Sequence, residues 1–156
     1  EDINDIIANS LELVSHEVKL VDINIEKELG AGLPKVMADK GRLEQVILNL
    51  FLNAIYAMRD GGTLSVKTYY IEQYDPRQGK WGQNNVVVEV MDTGTGIPES
   101  EQMKIFDPFY TTKPTGEGTG LGLSVSKSII DMHGGSMYVK SQKGTGTTFV
   151  IKLRVV

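Results

Sequence analysis

The fold class this sequence predicts is mixed α/β, a sheet carrying its helices on one face. Three observations carry that prediction. Helix-like and strand-like periodicities interleave along the chain. The later strand pairs are joined as hairpins, without a helical crossover, so the sheet is mixed rather than wholly parallel. At 156 residues the chain has the size of one domain, large enough to bury roughly two thirds of its unfolded surface in a single core.

The elements follow in order. Residues 3 to 18 set Ile3, Ile6, Ile7, Leu11, Val14 and Val18 three and four apart, an amphipathic helix whose narrow apolar seam asks for a partner helix. Residues 21 to 28 and 35 to 39 read as short strands around the Gly30-Ala-Gly-Leu-Pro34 turn. From Lys40 to Arg59 the period is helical, and Gly61-Gly62 stops it. Residues 63 to 73 and 85 to 92, rich in Thr, Tyr and Val, form a hairpin with a long polar loop containing Asp75-Pro76 and Gly79-Lys-Trp-Gly82. Pro98-Glu-Ser-Glu opens a short helix, 106 to 119 is irregular, and Leu121 to His133 is a helix ended by Gly134 in the left-handed position. Strands at about 136 to 141 and 147 to 155 close the chain.

Composition narrows the function. The absence of cysteine excludes disulfide frameworks and thiolate metal sites. A net charge of -4 argues against broad nucleic-acid binding, so any phosphate-directed charge must be local. The longest apolar stretch, Val46 to Met58, is broken by Asn49 and Asn53 and is too short to cross a bilayer. The opening residues carry no signal-peptide pattern; the chain reads as soluble, without direct membrane contact, and as a piece of a longer protein.

Two polar features break otherwise apolar elements. On the helix from Lys40 to Arg59, Arg42, Gln45, Asn49, Asn53 and Tyr56 fall within an arc of roughly 80° at 100° per residue. Two amides one turn apart on a buried helix either bond nearby backbone or face a ligand, and amide carbonyls suit a hard cation such as Mg²⁺. In Val86-Val-Val-Glu-Val-Met-Asp92, alternation puts Asp92 on the inward row with Val86, Val88 and Val90. That carboxylate is either an Asx turn cap before Gly94 or an acceptor for a donor such as the exocyclic amine of adenine. The glycine-rich run Gly116 to Gly122 opens a helix, a place where backbone amides meet phosphate.

Common nucleotide signatures fail. The chain has no G-x-x-x-x-G-K-[ST], no G-x-G-x-x-G and no H-R-D or D-F-G pair. What remains is a set of ordered blocks: Asn49-Leu-Phe-Leu-Asn-Ala54, Asp92-Thr-Gly-Thr-Gly-Ile-Pro98, Phe106-Asp-Pro-Phe-Tyr-Thr-Thr-Lys113, Gly118-Thr-Gly-Leu-Gly-Leu123 and Gly144-Thr-Gly-Thr-Thr-Phe149. In this order they resemble the ATP-binding catalytic domain of bacterial sensor histidine kinases, within the gyrase, histidine-kinase and mismatch-repair ATPase superfamily, and most closely its nitrogen-regulator-like branch.

The resemblance implies a two-layer α/β sandwich of the Bergerat type, a mixed, mostly antiparallel sheet against three helices, with ATP between the helices and a lid at about 106–120. It divides the chain into residues 1–18, the end of a dimerisation helix or linker, and a catalytic domain over 19–156. It makes Asn53 the Mg²⁺ ligand, places Asn49 near the phosphates, gives the transfer step to Asn49 and Lys113, and makes Asp92 the adenine reader. Gly94, Gly96 and Ile97 would shape the base pocket. Gly118, Thr119, Gly120, Leu121 and Gly122 would form the lid hinge and offer amides to phosphate. Thr147 would reach the nucleotide through water. Tyr56 stands where many relatives carry lysine, so phosphate charge must come from elsewhere, with Lys113 first and Arg42 second.

Its partners would be ATP and ADP, a histidine phosphoacceptor domain and a response-regulator receiver domain. Nucleic acid is not among them. The parent would be a homodimer with cytoplasmic catalytic parts, and the isolated domain a monomer. Neither histidine of this chain fits the acceptor: His16-Glu17-Val-Lys19 lacks the expected proline, and His133 sits at a helix end. A gyrase-type hydrolase would carry a glutamate where Asn49 stands, and a nucleotide-responsive docking module would use the seam of Ile3, Ile7, Leu11 and Val14.

Overall fold

The computed structural model describes residues 1–72, 74–82, 84–110 and 122–156. Five strands make one sheet in the order β1 (Ile23–Leu29), β2 (Gly62–Ile71), β5 (Asn85–Asp92), β7 (Gly146–Arg154), β6 (Ser136–Gln142). β1 and β2 are parallel and every other pairing is antiparallel, the mixed and mostly antiparallel sheet expected. The long loop between β2 and β5 carries a small ribbon, β3 (Tyr74–Asp75) against β4 (Lys80–Trp81), held by an edge-to-face contact of Tyr74 with Trp81.

Period-two alternation decides which residues are buried. Val86, Val88 and Val90 on β5 face the core with Leu64 and Val66 of β2 and Phe149, Ile151 and Leu153 of β7. Over that face lie α1 (Ile3–Leu13), α3 (Lys40–Ala57) and α4 (Gly122–Met132); α2 (Ser15–Leu20) follows α1 and leads toward β1. α3 is the central rod of this layer and touches α1, α4, β2 and β5. Its apolar face, Leu43, Val46, Ile47, Leu50, Phe51 and Ala54, is buried as its periodicity predicts. On the opposite sheet face Val87 and Val150 are also buried, beneath a layer where Lys140 and Lys152 lie over the ring of Tyr138.

Two expectations are corrected. The seam of α1 has its partner within the chain: Ile3, Ile6 and Ile7 are at most 1% exposed, and α1 packs on α3. Asn4 adds a polar clasp, donating from Nδ2 to the Gly30 carbonyl and accepting from the Thr68 hydroxyl. Ile3, Ile6, Ile7, Leu11, Val14 and Val18 belong to the same buried cluster as the rest of the core, so the seam is not free to dock a partner helix. The predicted helix also breaks at Val14, where a new turn begins. The second correction concerns 35–39, which forms no strand and contributes a single bridge, Val36 to Val155. Pro34 removes a donor, and the segment instead leads to the Asp39 cap of α3, whose carboxylate accepts from the Arg42 amide.

The other boundaries agree closely. Gly134 has φ +69 and ends α4 as expected, with the Gly135 amide donating back to Ile130. Among the described residues no helix is long and apolar enough to cross a membrane.

Candidate functional site

One face of α3, the loop after β5, the start of β7 and the first turn of α4 enclose a cavity of about 1060 Å³, the size of a small-molecule site. α3 contributes Asn49, Asn53 and Tyr56, three of the five stripe residues. Arg42 and Gln45 are exposed and do not line it, because they sit toward the start of α3, beyond the cavity's end. Arg42 as the source of phosphate charge is thereby withdrawn.

Asn49 joins two elements. Its Nδ2 donates to Ser126 Oγ on α4 at 3.2 Å, and its Oδ1 lies so near Gly122 that a Cβ there would collide with it. A side chain at 122 would have to displace the Asn49 amide from this position. This amide braces α3 against α4 and lines the cavity between them.

At the other end of the cavity Asp92 is 6% exposed. The Asx-turn reading holds, since Oδ1 accepts from the Gly94 amide at 2.9 Å, and the residue also lines the cavity. Burial pushes its carboxyl above the ordinary range, and backbone hydrogen bonds from Gly94 and Thr147 pull partly back. Asp92 is held by two amides and offers further acceptor capacity to a ligand.

Thr147 stands opposite Asp92 in the sheet register. Its hydroxyl lies 2.8 Å from Ser141 Oγ. Ser141 has one proton and gives it to the Gly146 carbonyl at 2.8 Å while accepting from the Ile97 amide at 2.7 Å. Thr147 must therefore be the donor of that pair, which leaves its oxygen an acceptor beside the Asp92 carboxylate. Two adjacent acceptors select a ligand edge rich in N–H.

Gly94 and Gly96 line this end of the cavity, and a Cβ on either would point into protein. A Cβ on Gly94 would lie 2.5 Å from the Ala57 carbonyl, and one on Gly96, at φ +74, would strike the Gln142 carbonyl. They let the loop slot between the end of α3 and the turn joining β6 to β7, which builds the cavity wall at the Asp92 end. Ile97 lines the wall, and Gln102 Nε2 fastens it by donating to the carbonyls of Ile97 and Ser141.

Lys113, Gly118, Thr119, Gly120 and Leu121 lie outside the described residues, as does the lid beyond Tyr110. Three contributors escaped the sequence reading. Ser141 and Gln102 belong to no glycine block and act through bonds to backbone, for which no spacing signal exists. Arg59 lines the cavity with its guanidinium 4.1 Å from the centre of the Tyr56 ring, and its place three residues after Tyr56 was the available signal.

A metal cage of the protein's own is not built here: no group of three or more His, Asp or Glu gathers among the described residues. The donor set instead suits a cation such as Mg²⁺ that keeps its waters and is shared with ligand phosphates, with the Asn53 and Asn49 carbonyls as protein oxygens.

Residues 38–156 match the model of the histidine kinase-, DNA gyrase B- and HSP90-like ATPase family. The chain belongs to this family. The sensor histidine kinase ZraS of Salmonella typhimurium is 41% identical over 154 residues, a match covering 99% of this chain and 30% of ZraS. The catalytic domain of histidine kinase ThkA superposes with a TM-score of 0.80 at 30% identity, covering 98% of this chain and 94% of that one. ThkA in complex with the response regulator TrrA matches at TM-score 0.77 and 27% identity, over 100% of this chain and 41% of that one. The sandwich is thus the histidine-kinase catalytic-domain fold, and the chain spans under a third of ZraS.

Proposed function

We propose that the cavity binds Mg-ATP and that the domain delivers the γ-phosphoryl group to a histidine on a separate dimerisation domain. The observation that carries this is the pairing of the two ends: buried acceptors Asp92 and Thr147 at one, amides Asn49 and Asn53 at the other, within one cavity. The exocyclic amine of adenine would donate to the Asp92 carboxylate. Asn53, with Asn49 beside it, would hold Mg²⁺ against the phosphates, and the metal would neutralise developing charge. In the transfer the imidazole nitrogen of the acceptor forms the new N–P bond as the bond from γ-phosphorus to the β,γ-bridging oxygen breaks, and ADP leaves. The chain's part is positioning and charge stabilisation, with Lys113, which lies outside the described residues, as the expected source of positive charge.

Hydrolysis is the weaker reading. An amide at position 49 cannot take a proton from water, so steady ATP turnover by the domain alone is expected to be very slow. The partners follow the same proposal: a dimeric parent with a cytoplasmic catalytic part, and the receiver domain of a response regulator, a reading supported by the ThkA complex with the response regulator TrrA.

The test mixes the chain and radiolabelled ATP with a dimerisation fragment from its own parent protein, shown competent with the intact kinase. Acid-labile, base-stable phosphohistidine on the fragment is the expected product. No label on a competent fragment overturns the proposal.

A further inference from the structure

We propose that Ser141, set behind the cavity wall, is a positioning residue for base selection: it takes the Thr147 hydroxyl proton and so holds the Thr147 oxygen as a fixed acceptor beside Asp92. This role presupposes that the cavity takes an adenine nucleotide, as proposed above.

The sheet register sets three polar side chains in one row. Ser141 on β6 stands opposite Thr147 on β7, and Thr147 stands opposite Asp92 on β5. Directly opposed residues project from the same sheet face. The next row on that face, Val139, Phe149 and Val90, is apolar and belongs to the core. Thr147 and Asp92 are buried and line the cavity, whereas Ser141 does not line it and can act on a ligand only through Thr147.

Protons are the limiting quantity in this row. The Ser141 hydroxyl has three partners, the Ile97 amide at 2.7 Å and the Gly146 carbonyl and Thr147 hydroxyl each at 2.8 Å. Its one proton goes to the Gly146 carbonyl, so the Thr147 hydroxyl must donate to it. Tying the Ile97 loop to the β6–β7 turn needs only the first two bonds; the third fixes which way the Thr147 proton points. The ionised Asp92 carboxylate, which already accepts from the Gly94 amide, is acceptor-only. An exocyclic amine on the base meets both oxygens with N–H. An exocyclic carbonyl in the same place finds no donor, the kind of mismatch that a built polar site rejects strongly. Without Ser141, the Thr147 proton is free to turn toward such a carbonyl, and the selection relaxes.

The experiment titrates three diphosphates with Mg²⁺ present: ADP, inosine diphosphate, and the diphosphate of purine riboside, whose base carries neither amine nor carbonyl at that position. The proteins are the parent chain, Ser141→Ala, Ser141→Thr, Thr147→Val and the double variant Ser141→Ala/Thr147→Val, each first shown by thermal melting to be folded. The parent should rank ADP above the purine control and the control above inosine diphosphate. Ser141→Ala should lower the ratio of ADP affinity to inosine diphosphate affinity roughly tenfold, ADP falling and inosine diphosphate rising relative to the control. Ser141→Thr, which keeps the hydroxyl, should restore the parent's ratio. In the Thr147→Val background, Ser141→Ala should leave the ratio where it stands. If Ser141→Ala does not fold, Thr147→Val carries the test, since it removes the same acceptor and should lower the same ratio. Equal losses for all three diphosphates in Ser141→Ala, an unchanged ratio in Thr147→Val, or a further change of ratio in the double variant would overturn the assignment. A parent that binds all three equally well keeps the nucleotide reading and sinks base selection alone; one that binds none of them brings down both.

Discussion

Burial gives Asp92 an electrostatic cost, which the proposed recognition of adenine would turn to use. With its carboxyl pushed up by burial in the folded state, its contribution to stability is full below the ordinary value of 3.8 and is lost as pH rises through the raised one. At neutral pH the empty site therefore holds an unfavourable charge. Asp92→Asn should leave the melting temperature of the ligand-free domain unchanged or higher at neutral pH, with the gap closing toward acid, while adenine-nucleotide binding falls sharply. A lower melting temperature at neutral pH would contradict this account. The same linkage predicts that nucleotide affinity drops as pH falls through the raised value, since a donated amine needs the ionised carboxylate; calorimetry across acidic pH reads it directly. Asn53→Ala tests the other end: its loss should appear with Mg²⁺ present and shrink when a chelator removes the metal.

At the scale of elements, α3 and the glycine loop do most of the shaping. α3 was legible because a helix this apolar betrays any polar stripe, and Asn49, Asn53 and Tyr56 fell on the cavity side as the wheel placed them. Where the stripe left the cavity, at Arg42 and Gln45, no periodicity could say so, since the cavity's length is set by the β5 loop and α4. Asp92 was legible for the same reason, a charge ending an inward valine row. Ser141 was not, because its bonds to Ile97, Gly146 and Thr147 depend on the β6–β7 register. The role of Gly94 also needed coordinates, since what it avoids is the carbonyl of Ala57. Gly94→Ala should move the loop, cost on the order of 1–3 kcal/mol in denaturant unfolding and weaken nucleotide binding together. Loss of binding with full stability would show that the contact is absent in solution.

For the whole molecule, the sheet order and the helical layer follow from interleaved periods and hairpin connections, and the sequence reading held there. At the start of the chain it left the partner open, because a narrow apolar seam looks the same whether its partner is in the same chain or another. Burial settles it: Ile7 is wholly enclosed between α1 and the rest of the core. Ile7→Ala should cost roughly 2–5 kcal/mol with an unchanged denaturant slope, a loss expected of a core residue and not of a linker. α3 thus has α1 on one flank and Asn49, Asn53 and Tyr56 on another. Close-packed interiors pass displacement on with little give. A push or twist applied to α1 would arrive at the cavity as a shift of the α3 amides, as a body, against Asp92 and α4, making the first helix a mechanical handle on the cavity.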